Sequence, residues 1–339
     1  MTRARTPHAV VQRFIRFAND HGLAGQSVAI AFSAGPDSTA LAICAAEAAR
    51  AIDLKPTLLH IDHNSRPGTA SDATRAAALA EHLALPFKAA MLPAADRPSE
   101  EELRAGRYIA LADLMSIAGI PTLLTAHHAN DQAETLLLHL IRGAGPDGAT
   151  AIRIRQSFQI TGMPDSIDLI RPFLTESRDA LHTLVADRGV IPVDDPTNLS
   201  HTYRRNAVRH RVLPVLEEIH PGAARHLAAF TDLIAEDNAL LNDLAQSFLA
   251  EALIEKELSI PEFRHLPDAI TSRMIRSWVL EQTGLVLTRD RTVAVLNLSK
   301  VGQGGAIIEI GEGWAVQRSG QTLKIRSAID HAHGGTSES

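Results

Sequence analysis

The sequence is short of cysteine, of long apolar runs and of positive charge. Its single cysteine, Cys44, excludes an internal disulfide, a CxxC redox pair, a cysteine-based zinc site and an iron–sulfur cluster. No segment reaches the roughly 18 consecutive apolar residues that span a bilayer, and no apolar stretch follows the opening MTRARTPHAV. We therefore expect no membrane span and no secretory signal, and a single cysteine favours a reducing, cytoplasmic location.

The charge balance argues against one way of binding a partner. The chain has 33 Lys and Arg against 39 Asp and Glu, a formal charge of −6, which disfavours a protein that binds nucleic acid through bulk positive charge. A local basic face stays open. The 339 residues are 45% apolar and 21% charged, which is typical of a globular protein with a substantial core, and the length favours two domains.

Strand-like and helix-like segments alternate between residues 26 and 142. Short runs that are apolar on both faces, separated by helices, predict a parallel sheet covered on both sides. Right-handed crossovers make this a doubly wound, Rossmann-like α/β domain with its cleft at the carboxyl ends of the strands. The predicted strands are Ser27–Phe32, Thr57–Asp62, Phe87–Leu92 and Thr122–His127. The predicted helices are Thr39–Ile52, Ser71–Leu85, Glu100–Ile117 and Asp131–Arg142.

The rest of the chain changes character twice. Residues 142–170 lack periodicity and are expected to be irregular, and Arg171–Val190 is expected to form a helix. Beyond His220 the pattern is helical, at Ala223–Leu253 and Pro261–Gln282, until Gly305–Arg326 alternates like a small β-meander. We place a first domain at residues 1–218, a smaller, mainly helical domain at 219–330, and a frayed tail at 331–339.

A turn of small residues follows the first predicted strand and opens into a helix. Ser33-Ala34-Gly35-Pro36-Asp37-Ser38 would let backbone N–H groups approach an anion at the positive end of the helix. A bare phosphate would repel Asp37, so its carboxylate is better suited to hold Mg²⁺ against a pyrophosphate. The alternative is a simple N-cap, in which Asp37 or Ser38 satisfies the first N–H groups.

Polar side chains also follow two later strands. His60-Ile61-Asp62-His63 ends the second strand, where the alternative is polar residues that face solvent. His127-His128-Ala129-Asn130-Asp131-Gln132-Ala133-Glu134-Thr135 follows the fourth predicted strand. Here Asp131 and Glu134 match the spacing of a capping box that would start the next helix unaided. The functional alternative places His127, His128 and Asp131 at the cleft, and no third strong ligand supports a zinc site.

One stretch of this acidic chain is strongly basic. His201–Arg211 holds four arginines and no acid. On a helix Arg205 and Arg209 are one turn apart, with Val208, Val212 and Leu216 on the apolar side. The two interpretations are a solvated helix face and, beside a nucleotide cleft, a surface that binds RNA phosphates.

These segments together resemble a known family. SAGPDS is similar to the SGGxDS signature of the PP-loop ATP pyrophosphatases. Further motifs fall in the order found in bacterial tRNA(Ile)-lysidine synthetases: HIDH, RAGRY (Arg104–Tyr108), AHHANDQAET, RP (Arg171-Pro172), DPTN (Asp195–Asn198) and YRRNAVRHRVLP (Tyr203–Pro214). The resemblance extends from Ser33 to Pro214. It departs from the family pattern at Ala34, where the family has glycine, at Asn130, where it has aspartate, and at Asn64-Ser65.

The resemblance implies a reaction, its cofactors and its partners. ATP with Mg²⁺ would adenylate C2 of the wobble cytidine of a tRNA(Ile) with a CAU anticodon, releasing pyrophosphate. Free lysine would then displace AMP, and the product, lysidine, would switch decoding and charging from methionine to isoleucine. The helical second domain would be a further tRNA contact.

The resemblance also implies roles for individual residues. The residues expected to bind ATP are Ser33, Ala34, Gly35, Pro36, Asp37, Ser38, His60, Asp62 and His127. Those expected to act in catalysis are Asp37, which would also hold Mg²⁺, Arg104, His127 and Asp131. Those expected to bind substrate are Arg107, Asp131, Glu134, Arg204, Arg205, Asn206 and Arg209. An ordinary surface ion pair between Glu100 and Arg104 is the alternative for the latter residue.

The cysteine content narrows the choice of nucleophile. Sulfur-inserting relatives need catalytic cysteines and glutamine-dependent ligases need a glutaminase nucleophile, whereas Cys44 is expected to be a buried small hydrophobe. A free amine is what remains. The alternatives are another PP-loop amine ligase or RNA-modifying enzyme, and a nucleotide-binding regulator without turnover. The sequence leaves the oligomeric state open, with a homodimer among the options.

Overall fold

The computed structural model describes residues 8–62, 69–93, 100–159, 166–193 and 204–327. The chain divides into two compact units, Met1–Ile234 and Ala235–Ser339. The division falls inside one helix, beyond the predicted boundary at residues 218 and 219, which stays a prediction. Among the described residues, no helix combines the length and the apolarity that crossing a membrane requires.

The first unit is built on a six-stranded sheet. Its strands are β1 (Ser27–Ala31), β2 (Lys55–Asp62), β3 (Phe87–Met91), β4 (Thr122–Leu124), β5 (Arg155–Gln159) and β6 (Ser166–Ile170). They lie in the order β3-β2-β1-β4-β6-β5, and every pair is parallel except β5 with β6. The order reverses between β1 and β4, which is where an open α/β sheet forms a crevice at its carboxyl edge.

Helices cover both faces of this sheet. The helices of the first unit are α1 (Ala9–Asp20), α2 (Pro36–Ala48), α3 (Thr69–His82), α4 (Glu100–Ala118), α5 (Ala129–Ile141), α6 (Pro146–Ala149), α7 (Arg178–Asp187), α8 (Arg204–Ala207) and α9 (Leu213–Ile219). Val28 and Ile30 of β1 pack into the core with α1, α2 and α7, whereas the intervening Ala29 packs with α4. This alternation confirms the predicted doubly wound α/β domain.

The second unit combines helices with a smaller sheet. After α10 (Ala223–Ala252) come β7 (Leu253–Ile254), β8 (Glu257–Ser259), α11 (Ile260–Phe263), α12 (Asp268–Thr283), α13 (Arg289–Val301), β9 (Ile307–Gly311), β10 (Trp314–Ser319) and β11 (Thr322–Ser327). The last three strands form the predicted meander, and β8 and β7 extend it to the order β7-β8-β11-β10-β9. Trp278, which is 1% exposed, lies in the core of this unit.

The structure corrects several local predictions. The range 142–170, expected to be irregular, contains two strands, since β6 pairs with β4 and β5 closes the sheet edge. The pairing with β4 supplies the stability that the short, Asp168-containing segment lacks alone. The helix predicted at Arg171–Val190 begins only at Arg178, after the N-cap Ser177, whose hydroxyl accepts from the N–H of Ala180 at 3.2 Å. Helices α1 and α13 carry no prediction above.

Candidate active site

The turn at Ser33–Ser38 joins β1 to the N-terminus of α2. Gly35 is the N-cap, and among the described residues no side chain caps the helix. The alternative in which Asp37 or Ser38 acts as a simple N-cap is therefore not what the structure has. The two serine oxygens, Ser33 Oγ and Ser38 Oγ, lie 3.1 Å apart, and the Ser38 hydroxyl donates to the carbonyl of Gly35. The turn therefore leads directly to the partial positive charge of a 13-residue helix.

Asp37, in the first turn of α2, faces two histidines. Its Oδ1 lies 3.1 Å from His182 Nε2, and its Oδ2 lies 3.6 Å from His128 Nε2. Burial alone would raise the pKa of the Asp37 carboxyl, but the hydrogen bond and charge of His128 and the charge of His182 outweigh it and lower the pKa. Asp37 is thus a carboxylate at neutral pH. His182 is absent from the sequence predictions, since its position inside α7 carries no local signal.

His128 and Asp131 begin helix α5. His128 is the N-cap, and its backbone N–H donates to Asp131 Oδ2 at 3.0 Å. The capping hydrogen bond therefore joins the His128 N–H to Asp131, and does not join Asp131 to Glu134. Burial opposes a charge on His128, but Asp37 and Asp131 flank its ring and raise its pKa. The pKa of Asp131 is lowered, because His128, His127 and Arg205 outweigh its burial.

Glu134, one turn further along α5, is fully buried and bound by two arginines. Its Oε2 accepts from Arg205 Nε at 2.9 Å, and its Oε1 accepts from Arg209 Nε at 2.6 Å. Both guanidinium groups also reach Asp131 Oδ1, at 3.3 and 3.1 Å. We call Asp37, His128, Asp131, Glu134, Arg205 and Arg209 the closed network.

The arginines of the basic stretch are therefore not a uniform solvent face. No acid lies near Arg205 and Arg209 along the chain, but α5 supplies the carboxylates. A π-helical turn, Val208–Val212, follows α8. Its wider turn shifts the register, so that Val208 is buried while Val212 is 38% exposed and does not continue the predicted apolar side.

His127 follows β4 and directly precedes His128, the N-cap of helix α5. Its Nδ1 is 2.9 Å from Thr125 Oγ1. Burial, with the positive charges of Arg171, Arg205 and Arg104, outweighs the attraction of Asp131 and lowers the pKa of His127 to about 4. His127 is therefore a neutral imidazole at pH 7, whereas its neighbour His128 is held towards the charged form.

A cleft of about 420 Å³ opens at the carboxyl edge of β1 and β4, and we call it the nucleotide cleft after the ATP binding predicted for several of its lining residues. Eight of the predicted site residues line it: Ser33, Asp37, Ser38, Arg104, Arg107, His127, Asp131 and Arg205. His60 and Asp62 are buried at the end of β2 and do not line it. The His60 ring is bound instead to the carbonyl of Phe32, 2.9 Å away, which supports the strand just before the turn.

Other predicted residues are placed less centrally. Pro36 and Glu134 line a separate cleft of about 780 Å³ beside α7 and α9. Arg204 is exposed and lines a third cleft, and Asn206 is half-buried. His63, Asn64-Ser65, the DPTN segment and Tyr203 lie outside the described residues.

Comparison with known proteins identifies the family. A family model described as a PP-loop domain matches residues 7–216. The tRNA(Ile)-lysidine synthase of Leifsonia xyli subsp. xyli is 35% identical over 291 residues, which cover 83% of this chain and 84% of that protein. The chain belongs to the tRNA(Ile)-lysidine synthase family. The enzyme of that name from Rhodococcus erythropolis is 33% identical and covers 83% of each chain.

The fold of this family member is shared with a solved structure. The U34-tRNA thiolase NcsA of Methanococcus maripaludis superposes with a TM-score of 0.56 at 16% identity, covering 67% of this chain and 78% of that one. The likeness supports the fold alone.

Cys44, fully buried in α2 with its thiol pKa raised by burial, is the small core hydrophobe that the sequence predicts.

Two of the three departures from the family pattern, Ala34 and Asn130, lie among the described residues. Ala34 adopts φ +61°, a left-handed backbone that favours glycine, and its side chain is fully buried. Asn130 Oδ1 accepts from the N–H of Arg178 at 3.3 Å. The aspartate expected at position 130 is thus replaced by a side chain that ties α5 to the start of α7.

Proposed function

We propose that this chain is an ATP-dependent ligase that joins free lysine to C2 of the wobble cytidine of a tRNA(Ile) with a CAU anticodon, forming lysidine. Membership of the family supports this, and one structural observation carries it. Ser33, Asp37 and Ser38 of the turn line a single nucleotide cleft with His127 and Asp131, at the switch point of the sheet.

The reaction has two balanced steps. The C2 carbonyl oxygen of the cytidine attacks the α-phosphorus of ATP, and the bond to the β-phosphate breaks to release pyrophosphate. The side-chain amine of lysine then attacks C2, loses a proton, and releases AMP with the former carbonyl oxygen. The N–H groups at the start of α2 stabilise the negative charge that builds up on the departing pyrophosphate.

Asp37 suits a Mg²⁺ ion bound together with ATP. The ion takes oxygen ligands and binds protein through one or two carboxylates beside substrate phosphates. Asp37 is ionised, its side chain is 36% exposed, and it lines the nucleotide cleft beside the turn. When bound, the ion would neutralise charge on the phosphates.

The structure favours different roles for the two carboxylates of α5. Both carboxylates accept hydrogen bonds from Arg205 and Arg209, but Asp131 lines the nucleotide cleft whereas Glu134 does not. We assign Asp131 to the lysine ammonium group, and Glu134 to positioning through the two arginines. For Arg205 and Arg209 this replaces the predicted contact with RNA phosphates. Neutral His127 can contact ATP or the adenylated base as a hydrogen-bond partner.

Mass spectrometry tests the proposal directly. The protein is incubated with ATP, isotopically labelled lysine and a tRNA(Ile) transcript, and the anticodon nucleosides are analysed. We expect label at the wobble cytidine, with pyrophosphate and AMP formed only when the tRNA is present. Formation of ADP would contradict the proposal. AMP formed without the tRNA would indicate another amine ligase, and ATP binding without AMP would indicate a regulator.

A substitution of Asp37 tests the site itself. Asp37→Asn should lower AMP formation by about 100-fold or more, as is typical when a group that stabilises transition-state charge is removed. Asp113→Asn, an exposed aspartate on α4, is the matched control and should retain activity. Near-normal turnover of Asp37→Asn would refute the assignment of Asp37.

A further inference from the structure

The third cleft of the first unit is lined by six arginines and two histidines, together with five uncharged residues. It measures about 780 Å³, and we call it the arginine cleft. Its arginines are Arg104, Arg142, Arg153, Arg171, Arg204 and Arg205. Among the described residues that line it, none is an aspartate or a glutamate. The sequence predictions assign no role to Arg142, Arg153 or Arg171.

Arg171 is the innermost of these side chains. It is 4% exposed, its Nη1 donates to the carbonyl of Arg153 at 2.6 Å, and its Nη2 lies 3.5 Å from Gln156 Oε1. Among the described residues, its Nε has no hydrogen-bond partner. Burial and the neighbouring Arg104 lower the pKa of Arg171, although the hydrogen bond with Tyr108 opposes them. A buried cation whose ligands are neutral is costly unless an anion joins it.

Three arginines elsewhere in the same unit differ from Arg171 because each is paired with a carboxylate. Arg13, Arg155 and Arg188 each bind a carboxylate through two nitrogens, from Glu176, Asp168 and Glu47 respectively. Arg155 lies two residues from Arg153 yet is not part of the cleft. Carboxylates are thus present where arginines support the fold and do not line the arginine cleft. Of the described lining arginines, Arg205 is engaged by Glu134 and Asp131, and the positive charge of the other five is left available to a ligand.

We propose that the arginine cleft binds phosphodiester groups of an RNA chain, with Arg171 as the deepest contact; this rests on the proposed function. One guanidinium group can bind a phosphate through two parallel N–H···O hydrogen bonds. Arg104, His127 and Arg205 line both this cleft and the nucleotide cleft. A nucleotide whose base enters the nucleotide cleft would therefore place its flanking phosphates among the arginines.

The size and spread of the lining favour a chain over one free phosphate. The lining comes from α4, the end of α5, the segment before β5 and α8. A volume of about 780 Å³ exceeds that of the nucleotide cleft, at about 420 Å³. Without a lining carboxylate, this cleft is also unsuited to the ammonium group of lysine, which leaves that role to Asp131.

Salt-dependent tRNA binding tests the proposal. The variant carries Arg142→Gln and Arg153→Gln, both exposed positions, and Arg155→Gln is the matched control on the same segment. Binding of a CAU-anticodon tRNA is followed by fluorescence anisotropy between 50 and 200 mM salt. Loss of two single-strand phosphate contacts should reduce the salt slope by about 1.4, so that the affinity lost over this range shrinks by about 7-fold. The Arg155→Gln control should keep the wild-type slope.

A second set of measurements tests Arg171 and the alternative ligand. Arg171→Lys keeps the charge and should bind tRNA more weakly while ATP binding is unchanged, because lysine lacks the planar fork. Variants that weaken inhibition by inorganic pyrophosphate but keep the tRNA salt slope would show a free-phosphate site and overturn the proposal. An unchanged slope, with lysidine formed by the wild type, overturns this inference alone. A wild type that binds no tRNA overturns the proposed function as well.

Discussion

The closed network and the arginine cleft use the same side chain in opposite ways. Arg205 and Arg209 share two carboxylates, one of them fully buried, so their charge is spent within the protein. Arg171 is more deeply buried than either of them, yet among the described residues it donates hydrogen bonds only to neutral groups. In the second unit, buried Arg273 also has only neutral partners among its hydrogen bonds, but its Nε donates to Asn242 Oδ1, whereas the Nε of Arg171 has no partner among the described residues.

This difference separates positioning from binding. An arginine paired with a carboxylate fixes the shape of a site. An arginine without an anionic partner can instead be stabilised by the negative charge of a ligand. Arg205 lines both clefts but is engaged by Glu134, so it orients the wall between them. Substitutions can test this difference, because they remove an ion pair of the closed network or a charge interaction beside the arginine cleft.

The largest effect is expected when the closed network loses its buried carboxylate. Glu134→Gln would leave two guanidinium groups facing Asp131 alone, and breaking a buried pair typically costs about 3 kcal/mol or more in the free energy of unfolding. Glu47→Gln, which breaks the more exposed pair with Arg188, should cost about 0–1 kcal/mol.

The readout must report on the first unit. Both tryptophans, Trp278 and Trp314, lie in the second unit, so tryptophan fluorescence in urea should follow that unit and stay unchanged. Hydrogen exchange at α2 and α5 should show the loss. Equal protection in Glu134→Gln and Glu47→Gln would mean that the network is not held by its ion pairs, and the contrast between the two sides would fail.

A smaller effect is expected on the pH dependence of unfolding, through His127, which lines both the nucleotide cleft and the arginine cleft. Its folded pKa of about 4 lies below the ordinary value near 6.5. The neutral ring therefore contributes stability that is present above about pH 6.5 and is lost as the pH falls towards 4. His127→Gln should flatten this acid loss by up to about 3 kcal/mol.

The control for this prediction is an exposed histidine. His82→Gln, at the end of α3, should leave the pH dependence of unfolding as it is in the wild type. Hydrogen exchange of α5 amides from pH 7 to 5 supplies the comparison. If His127→Gln keeps the wild-type slope, the arginines do not act on His127 as described, and the arginine cleft is better screened than its geometry implies.

Much of this site follows from local pattern, and its pairings do not. The alternation of strands and helices placed the turn at Ser33–Ser38 and the start of α5 at one sheet edge, as predicted. The partners of Arg205 and Asp37 lie 71 and 145 residues away, on Glu134 and His182. Periodicity and capping are set by neighbours within a turn or two, whereas such pairs depend on how distant elements pack.

The edge strands show the same limit for the fold. The short strand β6, with Asp168 at its centre, has little strand signal alone, and its parallel pairing with β4 decides its conformation. Arg171 follows this strand directly. It belongs to the RP motif, but nothing along the chain indicates that the described lining of the arginine cleft contains no aspartate or glutamate.

The smallest effect concerns the backbone of Ala34, in the turn that precedes Asp37 of the closed network. The carbonyl of Ala34 accepts from the N–H of Val193 at 2.8 Å and from the Thr39 hydroxyl at 3.2 Å, contacts that hold the residue in its left-handed conformation. Relieving a left-handed alanine gains about 1–2 kcal/mol, and the greater freedom of unfolded glycine returns about 0.5–1 kcal/mol of it. Ala34→Gly should therefore stabilise the first unit by about 0.5–1 kcal/mol.

Ala45→Gly, in the middle of α2, tests the sign of this effect. Its backbone is ordinary helix, so glycine there should destabilise by about 1 kcal/mol. Opposite shifts of the two variants in hydrogen exchange at α2 would show that the turn carries backbone strain. A loss at both positions would instead show that burial of the Ala34 methyl group outweighs its strained backbone, and the alanine would then be a packing residue beneath the turn.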